Sequence, residues 1–285
     1  MNGISSNNNT VIASLMGGLG NQIFQYAMGR ALCSHLRREL KIDLTFFSKD
    51  TSANGFTARP YALDIFNIAA TPWDIDDAEE NEFAVIRERG FAFDGSIFER
   101  AGLVKYPIVL AGYWQSPKYF APIEDQLRRE LSFKTVLTGR WAALSRKIRD
   151  THAVMLNVRR GDYLIKQDVH RVVSIEYLRW AIWKIDGLVA DATYFIFSDD
   201  IGWCREHICI EADHYYVDEG FYDPKFDRYL QLMSQCKHFI LSNSSFCWWA
   251  AWLSTNKDKV VIAPEKWFNS GIDTKDLFPE NWIIL

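Results

Sequence analysis

Two arginines follow an apolar run in the segment Asn157–Tyr163, and their chemistry suits an anion. The run that ends at Leu156 predicts a buried strand, and ligands of open α/β sheets bind beyond the carboxyl ends of strands. Because side chains alternate along a strand, Asn157 and Arg159 share one face and Arg160 lies on the other. We predict that Asn157 and Arg159 face the ligand, while Arg160 either joins them or pairs with carboxylates. A purely structural bridge between arginine and aspartate is the alternative.

A second polar group, Ser198-Asp199-Asp200, follows another apolar run. Adjacent carboxylates can accept hydrogen bonds from a ribose or a base edge, or bind a metal. They can also cap a helix that begins near Ile201. The local pattern favours the cap, and the two roles are compatible.

A third group, Asn243-Ser244-Ser245, lies between a predicted strand and a predicted helix over 245–253. The start of a helix presents N–H groups to an anion. Capping of the helix by Ser244 or Ser245 would give the same sequence pattern. The helix contains Trp248, Trp249 and Trp252, and is apolar enough to be predicted as core.

The fourth candidate is the glycine-rich segment Gly17–Gln22, between a predicted strand and a predicted helix. Glycines let the backbone approach a ligand closely. The segment has neither the glycine spacing of a dinucleotide-binding loop nor the lysine of a P-loop. A ligand-binding loop and a tight turn capped by Asn21 are equally supported.

The elements that must position these groups alternate between strand and helix. Strands are predicted at 10–15, 39–44, 107–114, 154–159, 194–197, 214–217, 238–241 and 260–263. Helices are predicted at 21–36, 118–131, 137–149, 174–185, 226–236 and 245–253, with a loop at 45–58. This rhythm predicts parallel sheets covered by helices, in two doubly wound halves. We place the domain boundary near residue 150, which gives domains 1–150 and 151–285.

Composition excludes several classes of protein. The chain has 285 residues, a net charge of -4, and 48% hydrophobic and 15% aromatic residues, which is globular and not disordered. The slight excess of acid argues against nucleic-acid binding, so an anion site must be local. The polar start is not a signal peptide, and no apolar run reaches the roughly 18 residues of a membrane span. Five scattered cysteines indicate reduced thiols and a cytoplasmic location, without a zinc site.

Together these segments resemble the α-1,2-fucosyltransferases of glycosyltransferase family 11. The matching stretches, in order, are 17–26 (GGLGNQIFQY), 61–68 (YALDIFNI), 112–120 (GYWQSPKYF), 158–163 (VRRGDY), 197–203 (FSDDIGW) and 232–253 (LMSQCKHFILSNSSFCWWAAWL). The last stretch is the most specific, and the matches cover almost the whole chain.

The resemblance implies a glycosyltransferase-B fold, in which two Rossmann-like domains face each other across a cleft. It implies GDP-β-L-fucose as the donor, bound mainly by the C-terminal domain, and a galactose-terminated glycan as the acceptor. The linkage formed would be α-1,2, with inversion and without a divalent metal or other cofactor. A bacterial enzyme of surface-polysaccharide synthesis fits such a chain, and peripheral association with a membrane stays open.

The resemblance also assigns roles to residues. Arg159 would bind the β-phosphate, and Asp162 is the nearest candidate for the base, ahead of Glu176 and His170, unless there is no dedicated base. The donor set is Asn157, Arg159, Arg160, Ser198, Asp199, Asp200, Asp227, Asn243, Ser244 and Ser245. The cleft or acceptor set is Gly18, Gly20, Asn21, Gln22, Tyr113, Trp114 and Gln115. Of the tryptophans outside the predicted core, Trp114 is the preferred sugar contact.

Two positions depart from the family pattern. The family usually has His where this chain has Asn157, and an amide cannot take a proton, which excludes a base there. Relatives usually carry an acid where this chain has Tyr229, and Asp227 is the nearest substitute.

Two alternatives remain open at this stage. The chain could be a transferase that uses another nucleotide sugar or forms another linkage. It could also be a carbohydrate-binding protein without catalysis, which would have no use for arginines directed at a phosphate.

Overall fold

The fold consists of two α/β units, each built on one parallel sheet. The computed structural model describes residues 9–48, 59–73, 82–165, 171–269 and 271–285, apart from the side chains of Asp162 and Ile165. The first unit comprises Met1–Ser132 and Ile272–Pro279, and the second comprises Phe133–Gly271 and Glu280–Leu285.

In the described part of the first unit, the sheet has five strands in the order β3-β2-β1-β5-β4, and all of their pairs are parallel. The strands are β1 (Thr10–Ser14), β2 (Glu39–Asp43), β3 (Thr71–Pro72), β4 (Ala84–Arg87) and β5 (Ile108–Ala111). The α-helices are α1 (Leu19–Leu36), α2 (Thr45–Ser48), α3 (Ser96–Gly102) and α4 (Glu124–Glu130), and 3₁₀ turns occur at Leu63–Ile65, Pro117–Tyr119 and Ala121–Ile123.

Among the described residues of the second unit, six parallel strands form the sheet, in the order β11-β10-β9-β6-β7-β8. The strands are β6 (His152–Val158), β7 (Ala192–Ser198), β8 (His214–Val217), β9 (His238–Ile240), β10 (Val261–Ala263) and β11 (Ile283–Ile284). The α-helices are α5 (Gly139–Asp150), α6 (Gly161–Ile165), α7 (Ile175–Asp186), α8 (Ile201–His207), α9 (Asp227–Ser234) and α10 (Ser245–Leu253), with a 3₁₀ turn at Glu219–Phe221.

Apolar strands buried on both faces form the centre of the second unit. Every residue of β7 is buried, and all of β6 is buried after its first residue. Such continuous apolar runs are what a parallel sheet covered on both sides requires. Trp248 and Trp249 of α10 are fully buried, as their sequence context predicted.

Each sheet has one strand at which the order of the chain reverses. In the first unit β1 lies between β2 and β5, and in the second unit β6 lies between β7 and β9. Ligands of doubly wound sheets bind at such points, beyond the carboxyl ends of the strands. The polar segments singled out in the sequence follow β1, β6, β7 and β9. The predicted parallel α/β architecture is thereby confirmed for both units.

Several element boundaries differ from the sequence-based predictions. Helix α1 begins at Leu19, with Gly18 at its N-cap, so Asn21 lies inside the helix and does not cap it. The predicted helix over 118–131 is divided into two 3₁₀ turns and α4, and prolines stand in both turns. Strands β3, β4 and β11 and helices α2, α3 and α6 were not predicted. The loop predicted over 45–58 is wrong for its first four residues, which form α2, and its remaining residues lie outside the described residues.

The division between the units falls after Ser132, and not near residue 150. Helix α5 belongs to the second unit because Ser145 donates to Gln235 at 2.5 Å and Trp141 donates to the carbonyl of Phe221. The segment Ile272–Pro279 belongs to the first unit. Its residue Asp276 accepts hydrogen bonds there from the Phe93 N–H and from Lys118.

Among the described residues, none of the helices has the length and the apolar composition that a bilayer span requires.

Candidate functional site

Arginine–aspartate pairs join the loops that follow β6 and β7. Arg159 Nη1 lies 3.1 Å from Asp199 Oδ2, and Arg160 Nε lies 3.2 Å from Asp200 Oδ2. The Arg160 guanidinium also lies 4.0 Å from the ring centroid of Trp203, in cation–π geometry. The Arg159 side chain is 28% exposed and that of Arg160 is 18% exposed. Arg160 therefore pairs with a carboxylate and fixes the loop, which is one of the two roles that the sequence allowed for it. Arg159 is the more accessible of the two arginines.

The Asp199 carboxylate also organises the backbone of the arginine loop. Its two oxygens accept from the N–H groups of Arg160 at 2.9 Å and Gly161 at 3.1 Å. A Cβ at position 161 would lie 2.8 Å from Asp199 Oδ2, so only glycine permits this approach. The arginine–aspartate bridge that the sequence offered as the alternative is therefore present for both arginines, between Arg159 and Asp199 and between Arg160 and Asp200.

The carboxylate of Asp200 caps a helix. It accepts from the N–H of Trp203 at 3.0 Å at the start of α8, and Ser198 Oγ accepts from the N–H of Asp200 at 2.9 Å. The cap that the local sequence favoured is thus confirmed. A further role of Ser198 or Asp200 toward a nucleoside stays a prediction.

Asn157 connects β6 to both of its neighbours. Its Nδ2 donates to the carbonyl of Phe197 at 3.1 Å, and its Oδ1 accepts from Ser242 Oγ at 2.5 Å. The side chain is buried. These contacts make Asn157 a brace beneath the arginine loop, whereas the sequence predicted a side chain facing the ligand.

The loop after β9 is tied to the loop after β6. Tyr163 donates to the carbonyl of Asn243 at 3.1 Å. The Asn243 side chain is buried, and its Nδ2 donates to the carbonyls of Arg171 and Trp267. Asn243 therefore holds three chain segments together.

The start of α10 lies directly after this tie. Ser244 is the N-cap residue, but its hydroxyl makes no capping hydrogen bond to the helix. Ser244 and Ser245 are both half-buried. The sequence allowed two interpretations of this segment, an anion site or a side-chain cap of the helix. The structure does not support the side-chain cap for Ser244.

Asp227 stands at the first position of α9. Thr135 donates to its carboxylate at 2.5 Å, and Asp223 Oδ1 accepts from the N–H of Asp227. Burial raises the pKa of Asp223, and the adjacent Asp227 adds to this rise. Burial also acts on Asp227, but hydrogen bonds from Thr135 and Asp223 outweigh it and lower the pKa of Asp227. The two neighbouring carboxyl groups therefore have pKa values shifted in opposite directions, and the proposed contact of Asp227 with the donor stays a prediction.

The three candidate bases differ in what the structure says of them. The side chain of Asp162 and all of His170 lie outside the described residues. Glu176 is exposed in the first turn of α7, where its own backbone N–H and the Ser174 hydroxyl lower the pKa of its carboxyl. A lowered pKa weakens Glu176 as a base at neutral pH.

In the first unit, the glycine-rich turn is fixed by buried glutamines of α1. Gln22 Nε2 donates to the carbonyls of Gly17 and Pro60, and Gln22 Oε1 accepts from the N–H of Ala62 at 2.9 Å. The Gln22 side chain is fully buried. Gly18 caps α1 and Gly20 is buried in its first turn. Gln22 was predicted to line a ligand cleft, but its contacts make it a structural brace.

The loop after β5 meets this turn. Gln115 Nε2 donates to Asn21 Oδ1 at 2.9 Å. Tyr113 is half-buried and its ring stacks on Phe91 at 6.3 Å. Trp114 is only 1% exposed and packs against Tyr119, so it offers no face to a sugar. The expectation that Trp114 contacts sugar is wrong, and Tyr113 is the aromatic residue of this loop with accessible surface.

Sequence reasoning assigned no roles to several residues that build these edges. Ser242 donates a hydrogen bond to Asn157, and the ring of Trp203 lies against the guanidinium of Arg160. Tyr222 donates to the carbonyl of Ser198. Tyr163 lies in the same motif as the two arginines, so its place in the sequence was a signal for its part in the site. There was no such signal for Tyr222, because its partner Ser198 ends β7, 24 residues earlier in the chain.

Comparison with known proteins gives one family over nearly the whole chain. Residues 5–285 match the model described as Glycosyl transferase family 11. An Escherichia coli alpha-1,2-colitosyltransferase is 32% identical, over 96% of this chain and 98% of its own length. The Escherichia coli O-antigen biosynthesis glycosyltransferase WbnK is 27% identical, over 95% and 99%. A rabbit (Oryctolagus cuniculus) galactoside alpha-(1,2)-fucosyltransferase 2 is 25% identical, over 94% and 74%.

Solved structures with this fold include fucosyltransferases. The fucosyltransferase NodZ from Bradyrhizobium has a TM-score of 0.53 at 15% identity, over 86% of this chain and 92% of that chain. A mutant of Arabidopsis thaliana FUT1 in complex with GDP has a TM-score of 0.54 at 13% identity, over 91% and 71%. At these identities the likeness concerns the fold alone.

Proposed function

The chain belongs to glycosyltransferase family 11, and from this premise we propose that it transfers L-fucose from GDP-β-L-fucose to the 2-hydroxyl of a terminal galactoside. The new linkage would be α-1,2, the anomeric centre would invert, and no divalent metal would be needed. The names of the relatives support this choice, since they include an alpha-1,2-colitosyltransferase and galactoside alpha-(1,2)-fucosyltransferases.

The observation that carries the proposal is the accessible arginine at the reversal point of the second sheet. Arg159 follows β6, which lies between β7 and β9, and its guanidinium is held in place by Asp199. A guanidinium can bind two phosphate oxygens at once. In a chain of net charge -4, such a local cation would provide the anion site that the overall composition does not supply.

Inversion implies a single displacement. The acceptor hydroxyl oxygen attacks the fucosyl anomeric carbon, and the bond from that carbon to the β-phosphate oxygen breaks. The electron pair of the broken bond stays on GDP, so negative charge grows on the β-phosphate. We assign its stabilisation to Arg159 and to the N–H groups at the start of α10.

The proton of the acceptor hydroxyl must leave during this step. Asp162 is the carboxylate of the arginine loop and remains our candidate for the base. Asn157, which braces this loop, cannot take that proton because its amide is not basic. Asp199, Asp200 and Asp227 remain the proposed contacts of the nucleoside, each beside the structural role described above.

A second candidate function is transfer of a related deoxysugar. The 32% identity to the colitosyltransferase favours this alternative. The proposed chemistry at the phosphate is the same for both.

The test is to mix the purified protein with GDP-fucose and lactose in the presence of a chelator. We expect 2′-fucosyllactose as the product, identified by mass and by the linkage in NMR spectra. Parallel reactions with GDP-colitose, GDP-mannose and UDP-galactose identify the preferred donor. Transfer from GDP-colitose alone would select the second candidate, and no transfer from any donor to any galactoside would refute the proposal.

A further inference from the structure

A buried glutamate of the first unit holds the backbone of the loop after β5. Glu88 follows β4, and its own N–H donates to the carbonyl of Ala111 at 3.0 Å. Its carboxylate accepts from the N–H groups of Tyr113 at 2.6 Å and Trp114 at 2.9 Å. Both carboxylate oxygens are therefore engaged by consecutive backbone amides of one loop.

The loop has a conformation that needs such support. Trp114 has a φ of 57°, in the left-handed region that a bulky residue rarely adopts, and it is fully buried. At position 112 a Cβ would lie 2.4 Å from the Cβ of Glu88, so glycine alone allows Glu88 this close. The carboxylate of Glu88 thus holds a strained turn over the backbone of Gly112.

The same loop carries candidate acceptor residues. Gln115 is only 6% exposed and donates to Asn21, which is half-buried, and Tyr113 is the accessible aromatic residue. Gln25 of α1 joins the loops after β1 and β5, since it accepts from the Met16 N–H and donates to the Gly112 carbonyl. Amide and phenol groups can exchange hydrogen bonds with sugar hydroxyls in both directions.

A buried carboxylate is costly unless its oxygens are hydrogen-bonded. Burial raises the pKa of Glu88, and the hydrogen bonds from Tyr113 and Trp114 counteract the rise. These two hydrogen bonds stabilise the carboxylate of Glu88. The charge of Glu88 therefore favours the loop conformation in which the N–H groups of Tyr113 and Trp114 point at it.

We propose that Glu88 is a positioning residue for the acceptor sugar, acting through the loop Gly112–Gln115. The carboxylate fixes the turn, and the turn sets the place of Tyr113 and, through the hydrogen bond from Gln115, that of Asn21. This inference rests on the proposed function, because it requires that the first unit binds the galactoside. It assigns Glu88 no contact with the donor.

The test is the variant Glu88→Gln, which keeps the size of the side chain. An amide can accept one of the two N–H groups through its oxygen, but its NH₂ group would face the other. We expect the KM for lactose to rise about tenfold, the range for loss of one charge-assisted hydrogen bond. The KM for GDP-fucose and the slow hydrolysis of GDP-fucose without acceptor should not change.

The matched control is Glu99→Gln, which removes the same charge from an exposed position of α3. Glu88→Asp, which keeps the carboxylate, should have a KM for lactose closer to that of the wild type. Gly112→Ala should raise the KM for lactose without removing any hydrogen-bonding group. Thermal melting of each variant shows whether it is folded, and a folded Gly112→Ala suffices for the test if Glu88→Gln does not fold.

An unchanged KM for lactose in folded Glu88→Gln and Gly112→Ala would overturn the inference, as would an equal rise in the KM for GDP-fucose. In both results the wild-type protein still forms the product, so the proposed function stands. If the wild type transfers no sugar to any galactoside, the proposed function fails and the inference fails with it.

Discussion

At the residue scale, Arg159 is the side chain on which the proposed chemistry depends most. Asp199 contacts its guanidinium, and the Arg159 side chain is 28% exposed. We expect Arg159→Ala to lower kcat by roughly 10²–10³-fold, the usual loss for one preorganised group that stabilises developing charge. The measurement is steady-state transfer to lactose at saturating GDP-fucose.

The control for Arg159 is Arg179→Ala, which removes an exposed arginine of α7 in the same unit. This variant should retain wild-type turnover. Arg159→Lys should also be impaired, because an ammonium cannot bind two phosphate oxygens in a fixed plane. Near-normal turnover of a folded Arg159→Ala would contradict the assignment.

Tyr113 and Trp114 are neighbours with opposite environments, and they should respond differently to truncation. Trp114 is 1% exposed, so Trp114→Ala should lower the free energy of unfolding by about 3–5 kcal/mol, as for other buried aromatic residues. Tyr113→Ala should cost less stability and should instead raise the KM for the galactoside. Urea denaturation and acceptor kinetics separate the two effects. A large loss of stability in Tyr113→Ala with no change in KM would refute this division.

These two residues show what a sequence can say about a site. The motif around Gly112–Gln115 indicated that this loop belongs to the cleft or acceptor site. The alternation of side chains along a strand could not decide whether Tyr113 or Trp114 is buried. The φ of 57° at Trp114 breaks the two-residue alternation of a strand. In the same way, Asn157 and Arg159 were predicted to share a face, but Asn157 lies inside the strand and Arg159 follows it, in the loop.

At the element scale, the hydrophobic pattern predicted the central strands and the edge strand β8, but it missed the short strands β3, β4 and β11. Strands β6 and β7 and helix α10 are mostly apolar, so their burial could be read directly from the sequence. Strand β4 has four residues that alternate between half-buried and exposed, and β11 has only two. Edge strands this short are specified by pairing with distant segments, which local sequence does not contain.

His238 is the residue that joins the starts of β9 and β10. Its Nδ1 accepts from the N–H of Val260 at 3.1 Å, which requires that this nitrogen carries no proton. Burial lowers the pKa of His238 below 6.5, and the nearby His152 and Lys237 lower it further. The unfolded chain therefore takes up a proton at a higher pH than the folded protein does.

The sign of the pH effect on stability follows from this difference. The contribution of His238 is fully present above pH 6.5 and is lost as the pH falls from there through the lowered pKa. We expect His238→Asn, whose Oδ1 can replace the accepting nitrogen, to have a smaller loss of Tm between pH 7 and pH 5 than the wild type. Equal slopes in the two melting series would show that His238 is not responsible.

At the scale of the whole molecule, the two units have the same plan. Each sheet has one reversal point, and at each point two loops are tied by side chains. Gln25 and Gln115 form the ties in the first unit, and Asn157 and Tyr163 form them in the second. The alternating rhythm of strands and helices predicted both sheets. It could not predict that Ile272–Pro279 belongs to the first unit, because contacts of Asp276 with Phe93 and Lys118 link residues far apart in sequence.

This plan predicts how the protein responds to each part of its substrates. If the second unit binds the diphosphate through Arg159 and the start of α10, GDP alone should stabilise the folded protein. At a concentration about 100 times its Kd, a ligand adds about 2.7 kcal/mol to the free energy of unfolding. We expect GDP to raise the Tm in the presence of a chelator, and the same concentration of GDP to raise it less in Arg159→Ala.

A carbohydrate-binding protein without catalysis would instead be stabilised by lactose and not by GDP. If stabilisation by GDP disappeared in chelator and returned on addition of Mg²⁺, the metal-free mechanism would be wrong, because the charge of the diphosphate would then require a cation that the arginine loop does not supply.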